Sequence, residues 1–334
     1  MSRRTHVLLV HEDAPQAPAA LAPFLRARLA RRGALGRPWS WLGRLGTAIV
    51  AWWRARQLAP SFSLLPGPSP RADALSLQAT CLERVLGRRY RCHPVLHGGH
   101  PDASSAAAAV GREDQVIIVP MDPLCGPILR AGASAARRSV RKTTDQVHWT
   151  GPWSSDPGYL EALAEALRLA IHHRPGAGPY CILFIANGTA ESRLGERARR
   201  AAADVAHAAG VQGSWTLAFV PDLGMASTLA GDAPDAFDAL DKASGTVVVQ
   251  HLGATSESRD TCVTLDHVLG LAARKRGLSW ARAAAPGTRP TFIHALAARV
   301  QTIEREVGWT VPEDRLRADV AAAWKAHDRQ LEEE

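Results

Sequence analysis

Cysteine is scarce in this 334-residue chain. The five present (Cys81, Cys92, Cys125, Cys181 and Cys262) are odd in number, widely spaced and form no Cys-x-x-Cys pair. That excludes a disulfide framework and a zinc knuckle, and it points to a reducing compartment, by default the cytoplasm. No apolar run approaches the roughly 18 residues needed to cross a bilayer. The stretch from Met1 to Asp13 holds too short an apolar run for a signal-peptide core, so a soluble or at most peripheral protein is expected. Glycine-rich phosphate cradles and nucleophile elbows are also absent.

What is present is the composition of a folded protein, 46% hydrophobic and 22% charged. The length predicts two domains of ordinary size. Forty basic residues against 32 acidic ones give a net charge of +8, with clusters at 26–32, 137–142 and 274–276. No basic face with interleaved aromatics or readable motif accompanies them, so nucleic acid is not an expected partner. Solvated faces of arginine-rich helices explain the excess, with an anionic small molecule or an anionic membrane surface as the other readings.

The pattern along the chain is α/β. Val7–Val10 is a short apolar run closed by His11, Glu12, Asp13 and Pro15, and a helix is predicted over 18–32. The unit recurs at Val116–Val119, Cys181–Ile185, Thr216–Phe219 and Thr246–Gln250. Helices are predicted over 191–209 and 258–276 after the third and fifth of these runs. Such alternation predicts parallel sheets covered on both faces, with ligands held by the loops after the strand ends. Residues 143–158 read as the link between two sheets, and 312–334 as an alanine-rich amphipathic helix. The segment Leu35–Arg56 packs four tryptophans, Trp52 and Trp53 among them, with four arginines. Such a helix lies on a membrane, forms the lip of an apolar pocket or caps the core. His93, His97 and His100 have ligand-like spacing, but Pro94, Gly98 and Gly99 break the helix that spacing would need. His172 and His173 are expected to cap a helix end.

Read in order, the strand-end loops resemble the ferrochelatase family, which inserts ferrous iron into porphyrin. Val119-Pro120-Met121-Asp122-Pro123-Leu124-Cys125 falls on the family's Leu-Pro-Leu-Tyr-Pro-Gln-Tyr. Leu183 to Ala190 resembles Phe-Ser-Ala-His-Gly-Thr-Pro, and Phe219 to Gly224 is placed like Phe-Gln-Ser-Arg-x-Gly. His251 to Asp266 runs without a gap along Pro-x-Gly-Phe-x-Ser-Asp-His-x-Glu-Thr-Leu-x-Glu-x-Asp. The resemblance continues to about residue 305. It implies two similar doubly wound parallel-sheet domains with a porphyrin cleft between them, over 1–150 and 151–310, and a helix over 311–334 packing back on the first. It also implies a tetrapyrrole-type ligand, porphyrin or haem, a divalent metal such as iron, and a homodimer or a complex with an active chelatase.

The departures fall on the chemistry. The family's histidine, the favoured base and iron ligand, is Asn187 here, and an amide does not titrate in this range. The acidic stripe at i, i+4 and i+8 reads Asp260, Thr264 and Val268, leaving one carboxylate. The preceding Asp-His pair is Glu257-Ser258, and the family arginine is Asp222. His11, Asp13, Met121, Asp122, Asp222, His251, Trp52 and Trp53 are the candidate substrate-binding positions. His251 and Asp260 are the candidate metal ligands, and Cys262 is expected to point away from Asp260. Standard ferrous insertion is expected to be lost. The alternatives are a divergent chelatase, the fold re-used for another reaction of specialised metabolism, or a membrane-docked scaffold with an empty cleft.

Overall fold

The computed structural model describes residues 3–12, 18–32, 41–60, 70–176, 178–187, 193–220, 245–258 and 261–307. Two four-stranded sheets, parallel throughout, organise the chain. In the first half β1 (Thr5–Glu12), β2 (Tyr90–His97), β3 (Gln115–Pro120) and β4 (Val147–Trp149) lie in the order β2-β1-β3-β4. In the second half β5 (Tyr180–Asn187), β6 (Trp215–Val220), β7 (Thr246–Leu252) and β8 (Ser279–Arg282) repeat that order as β6-β5-β7-β8. The predicted apolar runs are the inner strands and β6. The span 143–158 is not purely a link, because it contains β4.

Helices α1 (Leu21–Arg32) and α2 (Trp41–Leu58) follow β1, and α3 (Arg71–Leu86) leads into β2. Next come α4 (Ala103–Ala107), α5 (Pro127–Val140), α6 (Pro157–His172) and α7 (Arg193–Ala208). The predicted helix over 258–276 is π-helical from Cys262 to Leu269, with i→i−5 bonding at its end, and only then α-helical in α8 (Gly270–Lys275). α9 spans Pro290–Glu306. His172 ends α6, and the N–H of His173 caps it on the Leu169 carbonyl.

Strand alternation sorts the core. Val7 and Leu9 of β1, with Ile117 and Val119 of β3, join Ile182, Phe184 and Val248 of the second sheet in one cluster centred on Trp153, Tyr159 and Phe292. The opposite faces have their own clusters, under α5 in the first half and under the π-helical segment and α8 in the second. The return of the chain to the first half occurs in α9. Its Glu304, 4% exposed, accepts hydrogen bonds from the Thr5 hydroxyl at 2.8 Å and the Tyr90 hydroxyl at 2.5 Å. Residues 311–334 lie outside the described residues. Among the described residues no helix is long and apolar enough to cross a membrane.

Candidate functional site

The C-terminal ends of the two sheets meet along one seam, as ligand sites of parallel α/β sheets do. Gly253, just past β7, sits at φ +91°, and a Cβ there would lie 2.6 Å from Asp122 Oδ1 at the end of β3. Only glycine permits both that backbone and that approach. The Thr255 hydroxyl donates to the Met121 carbonyl at 2.7 Å, and Arg197 of α7 donates to the Leu124 carbonyl at 2.8 Å. Gln78 of α3, fully buried, donates to the carbonyls of Thr255 and Gly287 at 2.8 and 2.9 Å. The Gly253 N–H donates to the Tyr159 hydroxyl at 3.1 Å. Backbone groups of both strand-end loops are thus fixed from across the seam.

On the first sheet, His11 donates from Nδ1 to the Glu12 carbonyl at 3.2 Å, which leaves its Nε2 as the lone-pair nitrogen. Burial, and then the nearby Arg71 guanidinium, push this imidazole down to about 3. His11 is therefore neutral at physiological pH. Asp122 is tied to its own loop by the Leu124 N–H at 3.0 Å. Met121 is fully buried in the main core, so its side chain supports the loop rather than lining a cleft. Cys125 follows in left-handed backbone, φ 53°, with a buried thiol pushed up to about 11, so it is not a nucleophile.

On the second sheet, Asn187 ends β5, and His251 pairs with Ile185 in register. Ile185, Val247 and Val249 belong to the cluster under the π-helical segment. By alternation Asn187 and His251 share that face. Where the family motif has a histidine, an amide and an imidazole now flank the same strand ends.

The two positions ahead of the acidic stripe are structural. Ser258 and Thr261 cap each other reciprocally, with the Ser258 N–H on Thr261 Oγ1 at 2.9 Å and the Thr261 N–H on Ser258 Oγ at 3.1 Å. Glu257 accepts two bonds from Arg282 Nη1, at 2.7 and 2.8 Å, and one from the Ala285 N–H at 2.8 Å. Arg282 also donates from Nε to Asp266 at 2.8 Å. Desolvation raises the Glu257 pKa, but Arg282 and the bonding N–H groups outweigh it and hold the carboxyl below the usual range. A carboxylate so engaged is a weak proton acceptor. The Cys262 thiol donates to Glu257 at 3.7 Å.

Val268 is 39% exposed, so the stripe position farthest from the seam opens to solvent. Asp13, Asp222 and Asp260 lie outside the described residues, as does the side chain of Thr264. Trp52 and Trp53 are half exposed on α2, whose hairpin with α1 has a small core of its own around Leu21, Leu25 and Ala51. Among the described residues no three His, Cys, Asp or Glu side chains gather as a metal site. Of the three histidines with ligand-like spacing, His93 pairs with His6 of β1, the two rings meeting at 2.9 Å.

A sequence profile of the family described as Ferrochelatase matches residues 4–303. The chain belongs to the ferrochelatase family. It is 24% identical to a ferrochelatase of Caulobacter vibrioides over 92% of this chain and 95% of that protein. It is 25% identical to one of Nostoc sp. over 88% and 81%. The solved structure of CbiX, described as the terminal enzyme of sirohaem biosynthesis in denitrifying bacteria, superposes with a TM-score of 0.52 at 16% identity. That superposition covers 90% of this chain and 99% of CbiX, and it supports the two-domain chelatase fold.

Arg282, Gly253, Arg71 and Arg197 were missed as candidates by sequence reasoning. Arg282 lies beyond the last motif set against the family pattern, which ends at Asp266, and the partners of the other three come from distant parts of the chain.

Proposed function

We propose that this protein holds a flat tetrapyrrole in a ferrochelatase-type cleft and has given up standard ferrous insertion, acting as a binding protein or as a partner of an active chelatase. The carrying observation is Asn187 at the end of β5, where the family motif has its histidine. Insertion releases two pyrrole protons, and the amide takes neither. Glu257 is held by Arg282, and Ser258 is spent on a helix cap. Of the stripe, only Asp260 retains a carboxylate.

Titration of the protein into protoporphyrin should shift the Soret band, while ferrous iron is inserted no faster than in protein-free solution. Asn187→His alone should leave that rate unchanged, because Thr264 and Val268 still interrupt the stripe. Rapid insertion by the unaltered protein would sink the loss of activity, and an unmoved Soret band would sink the tetrapyrrole reading. One observation favours a divergent chelatase: the neutral His11, whose Nε2 lone pair suits a divalent metal. Insertion that disappears in His11→Ala with the Soret shift retained would establish that second reading.

The partner surface we assign to α2 is an anionic bilayer. Leu45, Ile49, Trp52 and Trp53 recur at helical spacing and are 52%, 58%, 53% and 49% exposed. Arg56 lies 4.8 Å over the Trp52 ring and Arg54 5.8 Å over that of Trp53, supplying the matching charge. The protein should sediment with phosphatidylglycerol vesicles, and Trp52→Ser/Trp53→Ser should weaken binding by about tenfold or more. Equal sedimentation of the variant would refute this assignment.

A further inference from the structure

At the other end of the first sheet, α3 and the edge strand β2 enclose a groove of about 530 Å3. Its floor is apolar, formed by Ala79, Cys92 and Pro94, and its rim carries Arg84, Arg88 and Arg91. The volume is that of a small-molecule site. The groove is separate from the seam. Arg71, at the start of α3, reaches the Glu12 carbonyl at the C-terminal end of β1. The last turn of α3 lies about 22 Å further along the helix at 1.5 Å per residue.

An edge strand usually recruits another strand through its free N–H groups. β2 offers none on this side. The Tyr90 N–H goes to the Gly87 carbonyl, that of Cys92 to Glu83 at 2.9 Å, that of Leu96 to the Pro101 carbonyl, and Pro94 has no N–H. A peptide therefore gains no ladder there, and recognition falls to side chains. Glu83 is the one carboxylate at the rim; it is engaged by Arg91 at 2.6 Å and by the Cys92 N–H. Arg84 and Arg88 have no acidic partner among the described residues. Three guanidinium groups against one carboxylate leave a local charge of about +2, suited to a diphosphate by the fork geometry of arginine. Burial holds the Cys92 thiol protonated, which removes covalent capture as an alternative.

We propose that this groove binds a phosphate-bearing planar ligand of the nucleotide class, the ring on the apolar floor and the phosphates on Arg84 and Arg88. The test is calorimetry on the full chain with ATP, inorganic pyrophosphate and adenosine, without divalent cations. ATP should bind with a Kd below about 1 mM, pyrophosphate more weakly, and adenosine not measurably. Arg84→Gln/Arg88→Gln, both at exposed positions, should weaken ATP by about tenfold or more and leave the Soret titration unchanged. The proposal is overturned if ATP does not bind, if the double variant binds it as well as the parent, or if pyrophosphate or adenosine binds as tightly as ATP.

Discussion

Arg282→Met should lower the unfolding free energy by about 2 kcal/mol and the melting temperature by roughly 4 °C. Arg282 neutralises two carboxylates at once, Glu257 through Nη1 and Asp266 through Nε. Its side chain is 21% exposed, and theirs are 31% and 39%. Breaking a fully buried pair would cost more, and water at the rim of this site trims the loss. Glu257 would retain the Ala285 N–H and the Thr261 hydroxyl but lose its cation. Its pKa should rise, making the strand-end loop less stable at mildly acidic pH. A double-mutant cycle with Glu257→Gln checks the coupling. Destabilisations that add to within about 0.5 kcal/mol would show that the two side chains do not act as one unit. If the released Glu257 also gained affinity for divalent metal, Arg282 would be the residue that keeps this family site closed.

The inner strands were legible because they are buried on both faces and read as unbroken apolar runs, as in Val7–Val10, Val116–Val119 and Cys181–Ile185. The edges were not. β2 reads Tyr-Arg-Cys-His-Pro-Val-Leu-His, and Pro94 argues against a strand unless its missing N–H faces outward, as it does here. β4 and β8 are three and four residues long, too short for periodicity to register. The π-helical turn over Cys262–Leu269 was equally hidden, because eight residues do not separate its period from that of an α-helix. At the site, the substitutions at Asn187, Glu257 and Ser258 could be seen, but their new employment could not. Glu257 is held by a residue 25 positions further on, and Ser258 reads as a lost histidine until its bond to Thr261 is seen. His11 was visible as a loop histidine. Its neutrality comes from burial beside Arg71, whose position depends on α3 packing against the first sheet.

Lowering the pH from 7 to about 4 should destabilise the protein through its buried histidines before the carboxylates titrate. Asp114 accepts from His6 Nε2 at 3.3 Å, so His6 Nδ1 is an acceptor, and the His93 Nε2–H donates to it at 2.9 Å across stacked rings. A proton on His6 Nδ1 would set two N–H groups against each other. Burial pushes His93 down to about 4, with the His6 imidazole adding to the effect, and burial likewise lowers His6 and brings His11 to about 3. Arg4 and Arg91 act in the same direction on His6, while Asp114 opposes them, and Glu83 opposes the lowering of His93. The unfolded chain protonates these rings near 6.5 and the folded one only well below that, so the unfolded state binds more protons between those values. Stability is then complete above about pH 6.5 and falls as the pH drops towards 4, before protonation of Asp114, Glu83 or Glu257 adds its own loss. For His93 alone the shift corresponds to about 2 kcal/mol after allowing for partial exposure. His93→Gln can keep a donor to His6 Nδ1 without titrating. In urea unfolding at pH 7.5, 6 and 5, that variant should show a clearly shallower decline than the parent. Parallel declines would show that the His6–His93 pair does not govern acid sensitivity, and would move its origin to His11 and the seam.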